Sequence, residues 1–382
     1  MYDKFGLPFY PLVFQILMIL TFALHIIFVN LTWGGAILSF YFGLKKEEKF
    51  KELSSSIGKS LTIFFSLAVL FGIAPLLFVQ TIYEYFWYSS NVFSGIYTLS
   101  FIFVLMLAFS LIYINYFSSK GPKFLNLLSF LLLSFAAIIM HTLNVQLLQV
   151  SKWTKFWYPS SFGKLNHFEI YRFLHFFFAS IAISGFFLLL NAWYLKKKGK
   201  SEEIVNFRAN LGIKIFFYFT IIQAISGIWW LLMIPGRFKF YLNHFTISSI
   251  LIFLILLHFT IRALKEPLKY IYHLSINLFV LIFFMSINRE SLRSMILKES
   301  GFSLSNYPLN IHYPSLILFL ISFLLAIFVS FFLISLAFKS GMKDEKLEFL
   351  LLNKLAKLSI YGLVLWILVV GGLGIYIYVK NL

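Results

Sequence analysis

The sequence predicts an all-α protein, a polytopic transmembrane helical bundle, and three observations carry that reading. Apolar residues make up 60% of the chain against 12% charged, with 50 phenylalanines, a balance that soluble domains do not show. The apolar runs are continuous and long enough to cross a bilayer as helices, where a transmembrane barrel would show short alternating segments. The basic residues gather in short loops between those runs. The net charge of +18 therefore reports membrane topology rather than a polyanion ligand, and no nucleic acid is expected as a partner.

About ten spans follow from the apolar runs, near 9–42, 60–87, 93–117, 124–150, 170–195, 210–234, 245–265, 268–288, 313–338 and 357–379. They group as two four-helix bundles plus peripheral helices: an N-terminal membrane bundle (1–150), a second membrane bundle (151–300) and a C-terminal helix pair (301–382). The first run is too long for a cleaved signal peptide. No sequence repeat is evident. One set of loops, from Lys45 through Lys123, Lys196–Lys214 and Arg262–Lys269 to Lys339–Lys357, holds about 21 of the 32 basic residues. The positive-inside rule then expects a multi-pass protein of the cell inner (cytoplasmic) membrane, with both termini on the non-cytoplasmic side.

Taken in order, the spans place their polar residues unevenly. The first carries His25 near its middle. The second carries Gln80 and Glu84, four apart and so on one helix face leading outward. Glu84 reads as a candidate proton acceptor and equally as an interfacial carboxylate. The fourth carries His141, about nine residues or roughly 14 Å from its outer end.

The fifth span is the most informative. His175 has Arg172 three residues before it and Ala179 and Ala182 four and seven after, all on one face. That face offers a nitrogen for iron, a guanidinium for propionates and room for a flat, anionic macrocycle. Small residues also mark ordinary helix packing in membranes, which is the plainer explanation. The sixth span puts Gln223, Gly227 and Trp230 on one face, with no function assigned. The seventh carries His258. The eighth ends Ser286-Ile-Asn-Arg-Glu-Ser-Leu-Arg293, where Arg289 and Arg293 share a face suited to clamping carboxylates or to anchoring a loop. His167, His244 and His312 fall at outer helix mouths, and His273 alone toward the cytoplasmic half.

The chain has no cysteine, which excludes disulfides, iron–sulfur clusters, thiolate chemistry and c-type heme. Heme here would be heme b held non-covalently, in one to three copies. Two histidines from facing helices make a low-spin axial pair. His25 and His141 qualify if the first and fourth spans are neighbours, and His175 could pair with His258, His244 or Met285. A zinc or copper site lacks any close H-x-x-x-H spacing.

On these residues the chain resembles subunit I of the cytochrome bd quinol oxidases. Arg172-Phe-Leu-His175 through Ala192-Trp-Tyr-Leu-Lys196 is similar to that family's fifth helix, whose histidine binds a low-spin heme b. Gly72-Ile-Ala-Pro75 through Trp87-Tyr-Ser-Ser90 is similar to its second helix. Phe14-Gln15 with His25 ten residues on is similar to its first helix, which carries the high-spin heme histidine. Ile139-Met-His-Thr-Leu-Asn-Val-Gln146 occupies the place of its fourth helix, with His141 an addition to the pattern. The likeness covers roughly residues 10–230.

The resemblance implies a heme b-containing membrane oxidoreductase subunit. It would move electrons between quinol and an external acceptor, a partner cytochrome or dioxygen, with membrane lipid and other respiratory subunits as partners. Glu84 would then be a candidate acceptor for a quinol hydroxyl proton. Three departures stand against a full match. Residues 92–117 contain no Asp or Glu where the family's third helix is acidic. Ser286-Ile-Asn-Arg289 keeps an arginine but not the family's preceding glutamate ligand. The long hydrophilic quinol loop between the sixth and seventh helices is missing. The alternative is a cofactor-free transporter, or a membrane anchor subunit for a redox complex.

Overall fold

A computed structural model describes residues 6–118, 123–311, 313–339 and 346–380. Two compact units result, one spanning Pro11–Tyr307 and one joining Phe5–Tyr10 to Pro308–Leu382. The described residues hold no strand. Nine of their helices are long and apolar enough to cross a membrane, which makes the chain an all-α polytopic bundle.

The first unit runs α1 (Pro11–Gly43), α2 (Glu48–Ile82), α3 (Glu84–Ser94), α4 (Ile96–Phe117), α5 (Lys123–Gln146), α6 (Trp153–Phe156), α7 (Ile170–Lys197), α8 (Glu202–Met233), α9 (His244–Ala263) and α10 (Ile271–Lys298). Eight of these are spans; α3 and α6 are short helices in the connections. In the second unit, α11 (Tyr313–Lys339) packs on α12 (Lys346–Lys380). Trp366 Nε1 donates to Ser322 Oγ at 2.7 Å between them, satisfying an indole N–H that hydrocarbon cannot. The apolar stretch described within α11 is Leu316–Phe332.

Several helix ends differ from the sequence reading; α2, α8 and α12 begin before the expected spans, at Glu48, Glu202 and Lys346. The second span stops at Ile82, because Tyr83 leaves helical geometry (φ −127°, ψ 30°), and the chain restarts as α3. Gly95 closes α3 at φ +41°, a left-handed conformation that penalises any side chain. The eighth span is expected to stop near 288, yet α10 continues to Lys298. Its charged stretch stays helical because Glu290 and Arg293, 2% and 3% exposed, find partners inside the protein.

α7 is the most enclosed span, with 61% of its apolar window buried. It packs along α8 and crosses α1, which also contacts α2, α5 and α10. The connection near residue 150, carrying α6, lies within this first unit. At the α1–α7 crossing the backbones nearly touch: a Cβ on Gly34 would lie 2.0 Å from the Ser180 carbonyl oxygen. Ser184 Oγ donates to the Asn30 carbonyl at 3.4 Å. These two contacts are reciprocal, since Asn30 and Ser180, and likewise Gly34 and Ser184, stand 150 positions apart. His25 and His175 share that spacing, as do Gly35 and Gly185. The contacts of α1 and α7 are thus arranged symmetrically about their crossing, at an offset of 150 positions that reading the sequence alone does not reveal.

Candidate functional site

Each helix of that pair builds the same histidine environment. On α1, His25 Nδ1 lies 2.8 Å from the Ala68 carbonyl of α2, and a Cβ on Gly72 would fall 2.8 Å from its ring. On α7, His175 Nδ1 lies 3.0 Å from the Gln223 carbonyl of α8, and a Cβ on Gly227 would fall 2.9 Å from its ring. The acceptor and the glycine are four apart in both cases, so one turn of the neighbouring helix holds the imidazole. A carbonyl can only accept, so each ring donates through Nδ1–H and keeps Nε2 as its basic nitrogen.

Among the other candidate histidines, His141 is likewise held by a backbone hydrogen bond, to Glu169, but it sits between Phe168 and Phe173, with centroids 4.9 and 5.6 Å away, and its buried Nε2 has no hydrogen-bond partner among the described residues. α1 and α5 are neighbours, as the expected His25–His141 pairing requires. The two rings nonetheless rest against different helices, His25 against α2 and His141 against Phe173 of α7. His175 is buried and touches Phe176 and Trp230, whereas His258, His244 and Met285 are exposed. His273 is exposed and stacks on Phe259. His167 is half-buried, and burial together with the Lys152 charge lowers its pKa. His312 lies outside the described residues. Glu84 opens α3, half-exposed, and makes no hydrogen bond or ion pair with a described residue.

Beside the histidines lies a buried charge cluster. Glu290 Oε2 accepts from Arg293 Nη1 at 2.9 Å, and Oε1 accepts from the Tyr83 hydroxyl and from Gln15 Nε2 at 3.2 Å. Asn144 Oδ1 accepts from Arg289 at 2.7 Å and from Arg293 at 3.3 Å. The Arg289 guanidinium rests 4.1 Å above the Phe22 ring and has no carboxylate partner among the described residues. One face of α1 reads this cluster: Gln15, Met18, Phe22 and His25 repeat at helical spacing, and Met18 Sδ lies 3.8 Å from Arg293. Phe22 stands 150 positions before Arg172, so the α10 arginine reaches the spot near His25 that Arg172 fills near His175.

Arg172 is 5% exposed and lies 5.2 Å over Trp230, with the Glu169 carboxylate 3.8 Å away. It borders a cleft of about 290 Å³ between the ends of α5, α7, α8 and α10. Across the cleft Arg237 makes a two-pronged ion pair with Glu299, at 2.6 and 2.8 Å, and this pairing holds the Glu299 carboxyl below its ordinary pKa.

Reasoning from sequence singles out His25, His141, His175, His244, His258, Glu84, Arg172, Arg289 and Arg293, and gives no site role to Glu290, Tyr83, Gln15 or Asn144. A signal for Glu290 was available: it stands three residues before Arg293, the spacing of an intrahelical ion pair. Glu290 follows Arg289 and is bound to Arg293, Tyr83 and Gln15, so it does not take the place of the preceding glutamate that the resemblance leads one to expect. No protein-family model matches the chain, and no curated protein matches it.

Proposed function

We propose that this chain is a heme b-carrying membrane oxidoreductase subunit, moving electrons between quinol and an external acceptor, a partner cytochrome or dioxygen. The observation that supports it is the duplicated imidazole site: His25 and His175, each pinned through Nδ1 by a carbonyl and each backed by a glycine. A carbonyl on the second nitrogen fixes the tautomer and orients Nε2 as a ligand, the usual outer-shell arrangement around a metal-bound histidine. The surroundings fit an anionic porphyrin in two further respects. Among the described residues, His141 Nε2 is a buried nitrogen without a partner. Arg289 likewise has no carboxylate among them and is suited to a propionate.

Heme b, when bound, supplies a one-electron iron couple. The chain's own residues do the rest. The Ala68 and Gln223 carbonyls set the two rings, and Gly72 and Gly227 leave space beside them. Phe168 and Phe173 keep water from His141, while Asn144 aims the two guanidiniums of α10. The subunit works in the inner membrane with both termini outside the cytoplasm, as its loop charges favour.

The test is optical. Purified protein should show a Soret band and a pyridine hemochrome of b type. His25→Ala and His175→Ala should each lower heme content by one site. Colourless protein refutes the proposal, and solute flux into liposomes from such protein would favour the transporter reading.

A further inference from the structure

Arg172 is poorly satisfied. Its guanidinium, five donors on a residue 5% exposed, makes no hydrogen bond with any described residue, and its Nε is buried without a partner. The carboxylate beside it, Glu169, is too distant at 3.8 Å for a hydrogen bond. A buried cation at a membrane helix end carries a large penalty unless an oxyanion meets it. Arg172 lines the cleft described above, so an oxyanion from outside the chain can reach it.

The rest of the cleft narrows the choice. Its cations and carboxylates come in pairs, Arg172 with Glu169 and Arg237 with Glu299. A free anion would face two carboxylates there. A zwitterion would place its anionic group on Arg172, which Trp230 holds from below at 5.2 Å, and its cationic group against Glu169. The cleft opens where four spans end, which is where lipid headgroups lie. Met233 lines it, 52% exposed, with Leu232 beside it 77% exposed, an apolar edge for acyl chains.

We infer that this cleft binds the headgroup of a zwitterionic phospholipid with a primary ammonium, its phosphate on Arg172 and its ammonium on Glu169. The site takes Arg172 for a lipid phosphate rather than for a heme propionate, and its test reads lipid retention, not heme.

Full-length protein stripped of lipid in detergent would be titrated with phosphatidylethanolamine, phosphatidylglycerol or inorganic phosphate and followed by native mass spectrometry. The expected result is one tightly held phosphatidylethanolamine, retained at about tenfold lower concentration than phosphatidylglycerol. Arg172→Gln should weaken retention of both lipids about tenfold. Glu169→Gln should bind phosphatidylglycerol and lose the preference for phosphatidylethanolamine. That ratio is measured within one protein, so it stands even if Arg172→Gln fails to fold. Equal retention of the two lipids by wild type overturns the inference. So does retention unchanged by Arg172→Gln, or displacement of the lipid by millimolar inorganic phosphate, which would make this a soluble-anion site.

Discussion

Replacing Glu290 with alanine tests how the charge cluster is held. Glu290 is 2% exposed, and its two oxygens accept from Arg293, Tyr83 and Gln15. Deleting it leaves Arg293, 3% exposed, as an uncompensated buried cation. Breaking such a pair from one side costs about 3–5 kcal/mol, more than the pair's net worth, because the orphaned charge stays buried. At about 2 °C per kcal/mol for a chain of this size, the melting temperature should fall by roughly 6–10 °C. Removing both charges has a different outcome. Glu290→Ala combined with Arg293→Met replaces the pair with apolar volume, which is often neutral. The double variant should therefore recover most of the loss, short of about 1–3 kcal/mol for the acceptor that Tyr83 no longer has. Circular dichroism melts in one detergent would measure all three proteins. If Glu290→Ala melts within about 1 °C of wild type, or the double variant melts no higher than the single one, the cluster is not a dry, coupled pair.

Gly34→Val should destabilise by more than about 3 kcal/mol, since its Cβ meets the Ser180 carbonyl at 2.0 Å and the clash is with backbone. Gly371→Ala on α12, with open space around it, should be neutral or slightly stabilising in the same melt. Gly227→Ala should push the His175 ring off the Gln223 carbonyl and lower heme occupancy there, while the His25 site keeps its heme; hemochrome assay of Gly227→Ala alone and combined with His25→Ala separates the two. His167 gives a pH dependence. Its folded pKa is depressed, so the unfolded chain binds more protons below the ordinary histidine value, and stability should fall as pH drops from neutral toward the depressed value. His167→Gln should flatten that slope in melts taken across mildly acidic pH, and an unchanged slope would assign it to other groups.

Most of the fold was legible because hydrocarbon is an unforgiving solvent. A span must satisfy its backbone internally, so length and continuous apolarity are enough to place α1, α4, α7 and α9 to within a few residues. The misses fall where polarity is satisfied by tertiary contacts rather than by position in the chain. The last three turns of α10 look like a polar loop until Tyr83, Gln15 and Asn144 are seen to pair with them. The break at Tyr83 has no proline or glycine to announce it. For the site, helical spacing was enough to put Arg172 with His175 and Arg289 with Arg293. It could not say what stands opposite, and the partners of His25 and His175 are main-chain carbonyls, which no side chain betrays.

The symmetric crossing of α1 and α7 accounts for which of these positions match between the two helices and which differ. Two parallel helices crossing at near-contact leave no room at the crossing. The positions that meet there, Asn30, Gly34, Ser180 and Ser184, are accordingly held to small or short polar residues on both sides. One turn or more away the demand is for an imidazole with a carbonyl and a glycine across from it, and both helices meet it. Outside that requirement the helices differ: Arg172 on α7 answers to Phe22 on α1. The guanidinium omitted from α1 arrives instead from α10, laid over the Phe22 ring. A cation thus stands near each imidazole although the sequence position supplying it differs. This is why self-comparison of the sequence finds little while the two sites are built alike.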